Sequence, residues 1–61
     1  MIKLTELVYA GDQNAMAEFP VWVVRAHITH MRIEHFFDTD RTGIYLGKTV
    51  IYVKEKPEDI L

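Results

Sequence analysis

The chain contains neither cysteine nor serine. Without thiols it forms no disulfide and no thiolate metal or redox motif, and the two commonest enzyme nucleophiles are missing together. A basic surplus is absent as well: 7 Lys and Arg stand against 9 Asp and Glu, for a net charge of −2. Nucleic-acid binders usually carry such a surplus to displace counterions, so nucleic acid is not the expected partner unless a local patch supplies one. No run approaches the ~20 apolar residues of a membrane-spanning helix. The opening MIKLTEL has neither the positive cluster nor the apolar run of a secretory leader. A soluble, cytoplasmic protein is the expectation.

What is present points to a small sheet. The 61 residues form one domain, 1–61, and 49% of them are hydrophobic. A domain of this size buries only about 60% of the surface of its unfolded chain, so its own core leaves it marginal. With disulfides excluded, self-association is the natural supplement. Glycine and proline are sparse, at 3 and 2 residues, and the three glycines and Pro57 mark breaks between runs rich in Val, Ile, Thr, Tyr and Phe.

The first run, Ile2 to Tyr9, alternates at its start and leads into a polar Gly11-Asp12-Gln13-Asn14 turn that suits a hairpin. The second, Phe19 to Arg25, has apolar residues on both faces, Val21 and Val23 on one and Trp22 and Val24 on the other. Pro20 places this run at a strand start or a sheet edge, because proline cannot donate to a ladder. Arg25-Ala26-His27 breaks the pattern and predicts a tight corner. Asp38 to Gly43 reads as a turn in which Asp38 and Asp40 stabilise the backbone. Ile44 to Val53 reads as a hairpin with a type II′ turn at Gly47-Lys48, which sets Leu46 opposite Thr49, Tyr45 opposite Val50 and Ile44 opposite Ile51. Pro57 at a first helical position, followed by Glu58 and Asp59, predicts a short helical turn that returns Ile60 and Leu61 to the sheet.

Val24 to His35, VRAHITHMRIEH, holds all 3 histidines of the chain. From His30 onward polar and apolar residues alternate, which favours a strand with Met31 and Ile33 buried; a helix over 27–37, in a ββαββ arrangement, is the alternative. The strand period argues against a metal. His27 and His35 would lie roughly 26 Å apart at ~3.3 Å per residue, with His30 on the opposite face. No metal or cofactor is therefore expected. An anionic ligand is the sharper candidate: Trp22, Arg25, His27, His30 and Arg32 combine cations with a stacking ring, as capture of a nucleotide or other small anion requires. The competing reading is a solvated strand face on which Arg32 pairs with Glu34 or a cross-strand acid. Catalysis is not expected, since the histidines lack a neighbour in sequence that would orient them.

The strongest physical signal is the apolar excess on both sheet faces. Trp22, Phe36, Phe37, Tyr45 and Tyr52 exceed what one layer and a terminal helical turn can cover, and they are the expected oligomer or partner interface. A sheet curled into a small barrel would instead hide them internally. The fold expected is all-β: about five antiparallel strands in a bent sheet or small open barrel, with a short C-terminal helical turn.

The opening MIKLTEL, an apolar strand followed by AHI, and the closing TGIYLGKTVIYVKEKPEDIL together resemble the FlbD/SwrD-like small proteins of bacterial flagella and swarming motility. The resemblance spans nearly the whole chain on short β motifs. It departs at the first turn, which is longer here, at Arg25 or Ala26 where the family has asparagine, at Lys56 in place of a capping serine, and in the His- and Arg-rich strand. Similar short β proteins also occur in phage and prophage genomes. The resemblance implies a non-enzymatic protein acting through protein contacts, with no catalytic residues to carry over.

Overall fold

A computed structural model of the chain describes residues 1–11, 15–36 and 39–61, Phe36 by its backbone alone. Asp12, Gln13 and Asn14 of the expected first turn, and Phe37 and Asp38, lie outside the described residues. The described elements are β1 (Ile2–Ala10), β2 (Ala15–Val23), a 3-10 turn (Arg25–His27), β3 (His30–Phe36), β4 (Thr39–Leu46), β5 (Thr49–Val53) and α1 (Pro57–Ile60). All strand pairings are antiparallel, in one open sheet of order β2-β1-β5-β4-β3. The all-β expectation holds, and 30–36 is strand rather than helix.

Local chemistry explains most of the elements. Gly47 takes φ +68, the left-handed value that the first loop position of a primed turn demands and that glycine adopts without a Cβ penalty. The β4–β5 register follows, with Leu46 facing Thr49, Tyr45 facing Val50 and Ile44 facing Ile51. The corner expected at Arg25 to His27 is the 3-10 turn, closed by His27 N–H donating to the Val24 carbonyl at 2.9 Å. Pro57 opens α1, and Glu58 and Asp59 fill its first turn.

Three boundaries differ from the sequence reading. β2 begins at Ala15, not Phe19, and ends at Val23. The residues Ala15 to Glu18 have modest strand preference, but each faces a residue of β1 in a continuous ladder running from Ile2↔Val23 to Ala10↔Ala15. β4 begins at Thr39, so most of the Asp38–Gly43 turn is strand: Asp40 and Arg41 face His35 and Glu34 across the β3–β4 ladder. Cross-strand partners outweigh the turn preference of isolated polar residues. At the C-terminal end, Ile60 returns to the core at 1% exposure, whereas Leu61 is 80% exposed.

The core lies on one face of the sheet, here the inner face. Leu4, Val23, Ile44, Val53 and Ile60 are buried, with Thr42 the buried polar residue among them. Ile2, Val21, Ile28, Met31, Leu46 and Ile51 pack at its margin. Each fully buried aliphatic side chain contributes about 1.5–3 kcal/mol, so this core is small for a free-standing domain. Ile33, expected to be buried, is 60% exposed. It has inner-face parity, but β3 is the outermost strand and the core ends at Ile44 and Thr42 of β4.

The junction between β1 and β5 is narrow. The strands share the pair Glu6↔Val53, and Lys54 N–H donates to the Thr5 carbonyl at 2.9 Å. Beyond it the Glu55 carboxylate takes over the ladder's task, accepting from Thr5 N–H at 2.9 Å and from the Thr5 hydroxyl at 3.0 Å. Partial burial pushes the Glu55 carboxyl up. The bonds from Thr5 N–H, from its own N–H and from the Thr5 hydroxyl, with the Lys54 charge, outweigh burial and hold it below the usual value.

Candidate functional site

The outer face of β3, β4 and β5 gathers the most chemistry. The paired residues His30↔Tyr45, Arg32↔Gly43 and Glu34↔Arg41 share this face, and Tyr52 lies opposite Gly43 on the other side. His30 stacks on Tyr45, ring centroids 4.2 Å apart at 11°. The Arg32 guanidinium lies 5.8 Å from the Tyr45 ring centre, and that of Arg41 lies 3.6 Å from the Tyr52 ring centre. Such cation–π contacts favour an outer face where aromatic and cationic side chains alternate.

Glu34 holds the centre. It accepts a hydrogen bond from the Tyr45 hydroxyl at 3.2 Å and faces Arg32 Nε at 3.6 Å and Arg41 Nη2 at 3.8 Å. Burial pushes the Tyr45 phenol up and the Arg32 charge pulls it back. The hydrogen bond to Glu34 and the charge of Glu34, with Tyr52, push it up again, so the phenol titrates above its ordinary 10.0 and stays a donor. Gly43 makes the arrangement fit. A Cβ there would stand 3.2 Å from Glu34 Oε2, 3.3 Å from Tyr52 Cε1 and 3.4 Å from Tyr45 Cε1.

The expected ligand residues divide into separate groups. His30 and Arg32 belong to this outer face. Arg25 is engaged elsewhere: its Nη2 donates to the Ile60 carbonyl at 2.9 Å, tying the 3-10 turn to α1. Trp22 and His27 line an open apolar groove of about 560 Å³ with Val21, Val23, Leu46 and Ile51. Trp22 is 57% exposed, with Lys3 Nζ 5.8 Å from its ring centre.

The expected interface residues also separate. Tyr45 and Tyr52 are half-buried under the cations that cover them, while Trp22 stays open. Phe36 pairs through its backbone with Thr39, and Phe37 is outside the described residues.

Two features escaped the sequence reading. The pairing of Arg32 with Glu34 was expected, but the place of Arg41 and Gly43 beside it on the outer face was not, and the signal for them was the β3–β4 register, which local patterning alone does not supply. His35, thought to lack an orienting neighbour, has its Nδ1 2.9 Å from Asp40 Oδ1 on the facing strand. Asp40 therefore holds a histidine rather than a turn. Both side chains are well exposed. Among the described residues no three His, Cys, Asp or Glu side chains converge as metal ligands. No helix among them is long and apolar enough to cross a membrane.

Comparison with family models, with curated proteins and with solved structures finds no match for this chain.

Proposed function

We propose that this chain is a non-enzymatic interaction and assembly module that works as a homo-oligomer in the cytoplasm and docks a protein partner. The observation that carries the reading is the mismatch between core and exposed apolar surface. The buried core holds Leu4, Val23, Ile44, Val53 and Ile60, while Phe19, Trp22 and Ile33 are each more than half exposed and Val8 is 43% exposed. A small domain gains its missing stability by covering such surface in an assembly. The resemblance of MIKLTEL and TGIYLGKTVIYVKEKPEDIL to the FlbD/SwrD-like proteins supports a motility-associated or phage-borne scaffold role. Size-exclusion chromatography with light scattering tests the reading. Multiples of the chain mass support it, and a monomer at every concentration removes it.

A second reading rests on the exposed Arg32. Its side chain is 64% exposed beside the His30–Tyr45 stack, which leaves a guanidinium available to a small anion or nucleotide. Calorimetry with a nucleotide panel, repeated on Arg32→Ala, tests it. Heat lost in the variant supports capture, and no heat with any member of the panel ends it.

A further inference from the structure

Backbone polarity along β3 points to a specific partner. In a hairpin with a two-residue loop, the residues flanking the loop exchange both of their hydrogen bonds. Leu46 and Thr49 flank Gly47-Lys48 in this way, so Leu46, Ile44 and Thr42 direct their N–H and C=O groups toward β5. The alternate residues of β4, Tyr45, Gly43 and Arg41, then turn theirs toward His30, Arg32 and Glu34. It follows that Met31, Ile33 and His35 direct their N–H and C=O groups away from β4, at the edge of the sheet.

The other edge, β2, is guarded. Pro20 faces Thr5, whose N–H and C=O are engaged on the β5 side by Glu55 and Lys54. The Pro20 nitrogen therefore lies toward the open edge, where it has no hydrogen to offer an added strand. β3 contains no proline or glycine. The two edges are not equivalent: Pro20 interrupts β2, whereas β3 offers an uninterrupted row of N–H and C=O groups.

We propose that β3 pairs with β3 of a second copy, antiparallel about a two-fold axis through Ile33. This rests on the homo-oligomer reading above and names its interface. The strand is complementary to itself in this register. Ile33, 60% exposed, meets Ile33 of the second copy on the inner face. Met31 faces the other His35, so each outward-directed N–H and C=O from Met31 to His35 gains a partner. On the outer face Arg32 lies opposite the other Glu34, and Glu34 opposite the other Arg32. These charged positions are non-hydrogen-bonded pairs, the closer of the two antiparallel spacings at about 4.5 Å between Cα atoms. Within one chain Arg32 Nε and Glu34 Oε2 are 3.6 Å apart, so the two copies bring four alternating charges into one ring. The centre of the strand, its outward-facing backbone and its charge order agree on the same axis, as a C₂ interface requires.

The absence of cysteine makes cross-linking a clean test. In this register the two residues at position 33 have Cα atoms about 5.5 Å apart, inside the range a disulfide spans. Two residues at position 32 stand about 8 Å apart, outside it, since the register offsets them by two residues. Full-length Ile33→Cys under mild oxidation is expected to form a covalent dimer, and Arg32→Cys to stay largely uncross-linked. Arg32→Glu would set four carboxylates around the axis and weaken dimerisation about tenfold. Both sites are exposed, so circular dichroism of the variants should match that of the parent. Ile33→Cys cross-linking no better than Arg32→Cys, in a chain that light scattering shows to be oligomeric, would overturn this interface and leave self-association standing. A parent chain that is monomeric throughout would overturn both.

Discussion

The β3–β5 meander and the β1–β2 arm are both made of short alternating strands, yet they dispose of their side chains in opposite ways. On the meander's outer face the aromatic rings are covered from within the chain, Tyr45 by His30 and Arg32, and Tyr52 by Arg41. Along the arm, β1 meets β5 at Glu6, and past that point Val8 and Phe19 remain exposed on the inner face. A two-stranded ribbon is marginal in water unless something packs on it. Both regions contribute to the core, Leu4 and Val23 from the arm and Ile44 and Val53 from the meander, but Val8 and Phe19 of the arm and Ile33 at the β3 edge stay uncovered.

The contrast can be broken at the core first. Ile44, fully buried in β4, should cost about 2–5 kcal/mol on Ile44→Ala, enough to unfold much of so small a domain. Urea denaturation followed by circular dichroism measures this. Gly43→Val comes next: the added side chain meets Glu34, Tyr52 and Tyr45, and a loss of about 1–3 kcal/mol is expected in the same assay.

Glu55 sharpens the comparison at the joint between the two regions. Its carboxyl is held below its usual value in the fold, so its contribution is present above the unfolded-state value of about 4.3 and is lost as the pH falls through the folded one. Glu55→Gln should remove about 1 kcal/mol at neutral pH and flatten the decline in stability across that acidic window. Denaturant titrations at neutral and acidic pH read both effects; an unchanged acid limb would remove Glu55 from the account. The smallest effect belongs to the arm. Phe19→Thr, at a site 52% exposed, should shift the stability of dilute monomer by no more than about 0.5 kcal/mol. A loss as large as that of Ile44→Ala would show that Phe19 is part of the core after all.

Local patterning made the meander's last hairpin legible, because Gly47 pins a two-residue loop and with it every pair from Leu46 to Ile44. The corner at Arg25, the edge position of Pro20 and the helical opening at Pro57 were legible for the same reason: each depends on a residue and its close neighbours. Ile33 was not. Its alternation with Arg32 and Glu34 is that of a half-buried strand, and only the insertion of β1 beside β5, a contact between distant parts of the chain, puts β3 at the rim. The division of Arg25, His27 and Arg32 among three surroundings had the same origin. They are near in sequence, but a 3-10 turn and an edge strand carry them apart, and Arg25 meets Ile60 from 35 positions away. His35 and Asp40 were hidden by reading the acidic stretch as a turn, when the β3–β4 register makes it a strand.

Self-association is the central claim, and the mass of the chain in solution tests it most directly. Light scattering across a dilution series, from high micromolar to nanomolar chain concentration, should show a dimer or higher multiple that falls toward the single-chain mass on dilution. A single-chain mass over the whole series would contradict the account.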